Sequence, residues 1–180
     1  RIGTRVSHRR GRDLRGYDGR YVAIPENTGA PVPVISAPQL AVVAAGIFFL
    51  IGLLTGTWKY LQIRQSENGR AHPYVDICHR ASLLYAFAAM LLAEFAHISE
   101  LASAVELIAT ALVLFYFATA ILTYFVHGLL RDTDNQPQPP FRIGRRNLPG
   151  AAIGLLMWTL IIAETGGFLV LFYGVLIAIF

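Results

Sequence analysis

The chain is poor in cysteine and in charge, and each shortage excludes a class of protein. Cys78 is the only cysteine in 180 residues, so no disulfide can form within the chain. Charged residues make up 14% of the composition and hydrophobic residues 55%, with a mean hydropathy of +0.52. That is too little charge for the surface of a soluble domain of this size, so a lipid bilayer is the expected solvent.

Familiar metal motifs are missing as well. The sequence contains no HExxH, CxxC or CxxCH. Zinc protease, zinc ribbon and covalent c-type haem sites therefore have no support. Any metal chemistry would have to come from histidines and acids that are scattered along the chain.

Four long apolar runs predict four transmembrane helices, with spans at about residues 39–60, 74–98, 101–130 and 148–178. Each approaches or exceeds the roughly 20 residues that cross about 30 Å of hydrocarbon as a helix. The connection near Ser99 is short, so the second and third spans should form an antiparallel hairpin. The sequence thus predicts an all-α membrane protein, whose residues 38–180 form a transmembrane domain of four helices in an antiparallel bundle.

Residues 1–37 are predicted to form an extended basic N-terminal arm. Such an arm can lie on anionic headgroups, where each cation contributes about 1 kcal/mol, or dock on an acidic partner subunit. No RNA-binding motif accompanies its arginines, so nucleic acid is not an expected partner. The chain starts at Arg1 without a methionine or the apolar core of a signal peptide, so we expect residues to precede it. The arginines expected to bind a partner are Arg5, Arg9, Arg10, Arg12, Arg15 and Arg20.

Basic residues near the ends of the spans predict the orientation. The second loop has none, whereas the first and third loops have many, which places those two loops in the cytoplasm and both termini outside. Fourteen of the 15 cations are arginine, a bias typical of GC-rich genomes, and we expect a bacterial inner membrane. The cations near the span ends are Lys59, Arg64, Arg70, Arg80, Arg131, Arg142, Arg145 and Arg146.

The candidate site lies where the second span begins. Pro73 fits the first helical position, so His72 and His79, seven residues apart, share a face, and Asp76 lies one turn from each. Imidazole binds haem iron or a transition metal while a carboxylate or carbonyl holds its second nitrogen. The hairpin brings the end of the third span to the same depth. The residues expected to bind a cofactor are His72, His79, His127, Tyr85 and Tyr124, with His79 and His72 as candidate metal ligands.

Three acids lie within the predicted spans: Glu94, Glu106 and Glu164. An ionisable group in a membrane span is costly and marks a functional hypothesis. Glu94 and Glu106 should lie near one membrane face, where they can share a proton or be neutralised by His97. Glu164 lies deeper, and its alternative role is a protonated carboxyl bonded to a carbonyl of a neighbouring helix.

The histidine stretch follows Phe49–Gly56, and it contains both Arg70-Ala71-His72 and Cys78-His79-Arg80-Ala81-Ser82-Leu83-Leu84-Tyr85. In this arrangement, residues 45–95 resemble the small four-span membrane isomerases typified by styrene oxide isomerase and hydroxylaminobenzene mutase. The resemblance implies a haem b bound by one of these histidines, with the iron acting as a Lewis acid on an epoxide or N–O oxygen. Where that family has Asn-Gly soon after the histidine, this chain has Tyr85-Ala86.

Two functional hypotheses from different classes follow. An accessory or structural subunit of a larger membrane complex accounts for the arm, for the acidic loop Asp132–Asn135 and for the glycine motif Gly52–Gly56, which suits close helix contacts. A haem-binding membrane isomerase or electron carrier using His79 or His72 accounts for the histidines, so enzymatic activity stays open. With His127 as a second ligand, the iron would have no open position, which favours electron transfer. A homo-oligomer is the alternative assembly, and a transporter would require one.

Overall fold

Four long helices make up most of the computed structural model, which describes residues 35–180. The helices are α1 (Ala37–Gln65), α2 (Pro73–Ile98), α3 (Ser103–Leu130) and α4 (Gly150–Ile179). Each is long and apolar enough to cross a membrane. The prediction of four transmembrane helices is confirmed, and it indicates an integral membrane protein. The predicted arm lies outside the described residues except for its last three positions, and so do all of its partner-binding arginines.

Local signals explain where the helices begin. A capping box starts α1: Ser36 Oγ accepts a hydrogen bond from the Gln39 amide at 3.4 Å, and Gln39 Oε1 accepts one from the Ser36 amide at 3.0 Å. Pro73 occupies the start of α2, as predicted, and the His72 ring caps that helix. The helix α4 runs without a break through Glu164, so the last apolar stretch is one helix and not two.

Helix α1 continues past Tyr60, where the predicted first span ends, and ends only at Gln65. The reason is tertiary contact. Lys59 forms an ion pair with Asp76 on α2 at 2.6 Å. Gln62 Oε1 accepts a hydrogen bond from the His72 amide at 2.9 Å. Gln62 lies in the extra turn and Lys59 just before it, so the two contacts hold the end of α1 against the start of α2.

Small residues bring α1 and α2 together. A Cβ added to Gly52 would lie 2.6 Å from the Leu83 side chain, and one added to Gly56 would lie 2.8 Å from the His79 ring. The predicted close approach at Gly52–Gly56 is therefore confirmed, with α2 as the neighbour. A Cβ at Gly46 would meet nothing within 4 Å, so that glycine does not belong to the contact.

The chain between α3 and α4 contains a short antiparallel hairpin. Its strands are β1 (Arg142–Ile143) and β2 (Arg146–Asn147). Gly144 supplies the positive φ of 59° that the turn requires. We refer to residues 131–149, which include this hairpin, as the α3–α4 loop.

Candidate functional site

Tyr74 is the centre of the polar cluster at the start of α2. Its side chain is 3% exposed, and its ring centroid lies 5.1 Å from that of His127, 6.1 Å from that of Tyr124 and 6.2 Å from that of His72. Its hydroxyl accepts a hydrogen bond from the Gln136 amide of the α3–α4 loop. The structure therefore brings together three of the predicted cofactor-binding residues around a tyrosine that was not predicted.

His127 and Asp132 form a buried pair that joins α3 to the α3–α4 loop. His127 Nδ1 lies 2.7 Å from Asp132 Oδ1, and the two side chains are 1% and 5% exposed. The second carboxylate oxygen accepts a hydrogen bond from the Gly144 amide at the hairpin turn. Burial opposes ionisation of Asp132, but the hydrogen bonds from His127 and Gly144 outweigh it and hold the pKa of this carboxyl below its ordinary 3.8.

Both ring nitrogens of His72 contact other groups of the chain. Nδ1 accepts a hydrogen bond from the Tyr74 amide at 3.3 Å, and Nε2 faces the Asp134 carboxylate at 3.4 Å. A ring that accepts at Nδ1 carries its hydrogen on Nε2, so His72 has no lone pair left for a metal in this arrangement. Its role here is to cap α2.

We expect the stability of the fold to depend on pH through His72. Burial lowers the pKa of His72 below its ordinary 6.5, and the attraction of Asp134 offsets only part of this effect. The stabilisation that neutral His72 contributes to the fold is then fully present above pH 6.5 and is lost as the pH falls through the folded-state pKa. His72→Asn keeps an N-cap acceptor and should flatten the loss of thermal stability between neutral and mildly acidic pH. His97→Asn, at an exposed histidine, should leave that loss as it is in the unmutated chain.

His79 belongs to the contact between α1 and α2 rather than to the Tyr74 cluster. Its Nδ1 lies 2.8 Å from the Gly52 carbonyl oxygen. Because a carbonyl only accepts, Nδ1 carries the hydrogen, and Nε2 of the neutral ring keeps its lone pair. An imidazole held at Nδ1 by a carbonyl and free at Nε2 is the arrangement that metal-binding histidines usually show.

Asp76 does not orient either histidine. Its carboxylate instead pairs with Lys59 at 2.6 Å and with Arg80 at 2.8 Å. The three side chains lie at the ends of α1 and α2, where charged groups reach the membrane surface. The predicted unit of an axial histidine with its orienting acid is therefore replaced by a histidine held by a carbonyl.

Tyr85 and the three acids lie further along the helices. The ring of Tyr85 stacks on that of Phe117 at 4.2 Å between centroids. Among the acids, Glu94 is exposed, whereas Glu106 is 9% exposed. One carboxyl oxygen of Glu106 and one of Glu164 are buried and have no hydrogen-bond partner among the described residues.

The ligand sets available to a metal ion are small. Among residues 35–180 no group of three or more His, Cys, Asp or Glu side chains is placed to hold one. A haem needs only one protein ligand, and His79 has the free nitrogen for it. His127 also keeps a lone pair on Nε2, but its side chain is 1% exposed, which leaves no room for a macrocycle.

Known proteins give no further identification. Comparisons with protein-family models, with curated proteins and with solved structures found no match. The function has to be inferred from the side-chain arrangement itself.

Proposed function

We propose that this protein is an accessory, structural subunit of a larger membrane complex in the bacterial inner membrane. One observation carries the proposal: the buried His127–Asp132 pair, together with Gly144, fixes the α3–α4 loop as a defined surface. His127, which the sequence predicts as a cofactor-binding residue, is thus engaged in holding this loop.

The fixed surface suits an acidic partner. The hairpin exposes Arg142, Arg145 and Arg146. The Asp132 carboxylate and the Tyr74 hydroxyl hold the loop in place by accepting hydrogen bonds from its Gly144 and Gln136 amides. A preorganised loop loses little conformational entropy on binding. The basic arm, proposed to bind the same complex, would add a second contact.

Helix contacts support an antiparallel bundle as the membrane part of this subunit. Tyr74 lies against His127, the Cys78 thiol donates to the Ile121 carbonyl at 3.7 Å, and Tyr85 stacks on Phe117. In each pair the residue number rises on α2 as it falls on α3. We propose that the first and third loops face the cytoplasm, as the positive-inside rule predicts.

Co-purification tests the subunit proposal. The tagged full chain, extracted in mild detergent from the membranes of the cell that makes it, should carry a second polypeptide in fixed stoichiometry. The triple variant Arg142→Gln, Arg145→Gln, Arg146→Gln should lose that polypeptide while its thermal unfolding stays unchanged. A homogeneous particle containing only this chain, identical for the triple variant, would contradict the proposal.

A haem-binding membrane isomerase or electron carrier is the second candidate, and the arrangement of His79 favours it. Haem would bring an iron centre for Lewis-acid or electron-transfer chemistry, and His79 Nε2 would be its ligand on this chain. The purified protein should then show the intense Soret absorbance of haem. His79→Ala should abolish this band and His72→Asn should preserve it. A colourless protein purified from cells that make haem would rule this candidate out.

A further inference from the structure

A polar cavity of about 450 Å³ lies where the end of α1, the start of α2 and the end of α3 meet. The residues that line it include Gln62, Arg70, His72 and Arg131, and no described residue that lines it is an acid. Helix ends of a membrane protein lie in the headgroup region, and the nearby Trp58 and Tyr60 are typical of that depth.

Gln62 supplies a hydrogen-bond donor that lacks an acceptor. Its Oε1 is used by the His72 amide at 2.9 Å, which fixes the orientation of the side-chain amide. Its Nε2 is buried and has no partner among the described residues. A buried donor without an acceptor costs about 1–3 kcal/mol, so a shift of the Gln62 side chain that brings Nε2 to an acceptor in the cavity would be favoured.

Hydrogen bonds hold the backbones of the two cavity arginines in place. The Arg70 amide donates to Ser66 Oγ at 2.8 Å and to Asn68 Oδ1 at 3.1 Å. Arg131 has a left-handed φ of 49°, and its amide donates to the His127 carbonyl at 2.8 Å. Neither guanidinium forms an ion pair with a described residue.

We propose that this cavity binds a phosphate group. Phosphate oxygens accept paired hydrogen bonds from guanidinium groups, and after a shift of the Gln62 side chain one of them would also accept from Nε2. Basic pockets between membrane helices are suited to anionic headgroups. The phosphate of an anionic phospholipid and soluble inorganic phosphate present the same oxygens.

The test uses the full chain in phosphatidylcholine nanodiscs with and without phosphatidylglycerol, and in detergent with radiolabelled inorganic phosphate. Arg70→Gln and Arg131→Gln should each weaken binding about fivefold, the effect of one cation near an anionic surface. Gln62→Glu keeps the acceptor for the His72 amide and replaces the donor with an oxygen, so it should weaken binding at least as much. Arg64→Gln removes an exposed arginine that does not line the cavity and is the matched control.

The two arms of the test distinguish a lipid phosphate from soluble inorganic phosphate. A preference for phosphatidylglycerol that is lost in the cavity variants and kept in the control supports the proposal with a lipid as the ligand. Binding of inorganic phosphate that is lost in the same variants, without any lipid preference, supports it with a soluble ligand. Variants that equal the control in both arms would overturn it.

Discussion

Asp132→Ala should be the most destabilising polar substitution in the α3–α4 loop. It removes the acceptor of the buried His127 ring and of the Gly144 amide at once. Leaving a buried donor without its acceptor costs about 1–3 kcal/mol, and here two donors lose theirs, so we expect a loss of about 3 kcal/mol. The free energy of unfolding, measured by SDS titration in mixed micelles, should fall by that amount.

Asp134→Ala is the matched control. Its carboxylate side chain is 80% exposed and lies 3.4 Å from His72 Nε2, so its loss should cost under about 1 kcal/mol. The pKa of Asp132 lies below its ordinary 3.8, so its stabilisation is fully present above pH 3.8 and is lost as the pH falls through the folded-state pKa. The difference between the unmutated chain and Asp132→Ala should therefore shrink in acid. Equal effects of the two substitutions at neutral pH would contradict a structural role for the pair.

Gly167→Leu should separate α3 from α4. A Cβ at this position would lie 2.6 Å from Val113 Cγ2 and 2.8 Å from the Ala109 carbonyl oxygen. The carbonyl belongs to the backbone of α3 and cannot rotate away. Overpacking of this kind costs about 3 kcal/mol, and the same SDS titration should show the loss.

Gly166→Leu is the control for helix propensity, because it makes the same chemical change one residue earlier. A Cβ at Gly166 would meet nothing within 4 Å. Replacing glycine in a helix interior favours the helix by up to about 1 kcal/mol, so Gly166→Leu should be neutral or stabilising. If both variants lose the same stability, the close approach of α4 to α3 is wrong.

The helices could be predicted because their signals are local. Long apolar runs gave the four spans, and Pro73 marked the start of α2. The spacing of Gly52 and Gly56 predicted a close helix contact, which α2 provides. Tyr74 could also have been predicted, since the expected hairpin of the second and third spans would place it at the depth of His127.

The faces of the helices could not be predicted, because lipid-facing and core-facing side chains are equally apolar. Phe115 is 63% exposed, whereas Phe117, two residues later, is 9% exposed. The rotation of α2 decides that His79 faces the Gly52 carbonyl, and the folding of the α3–α4 loop decides that Asp132 reaches His127. Both depend on contacts between residues distant in sequence, and no local pattern encodes them.

A structure of the native particle, solved by electron cryomicroscopy after mild extraction, tests the central claim most directly. A structural subunit predicts density for a second polypeptide against the α3–α4 loop and no ligand on Nε2 of His79. A particle built only from copies of this chain, with a haem bound through His79, would contradict that account.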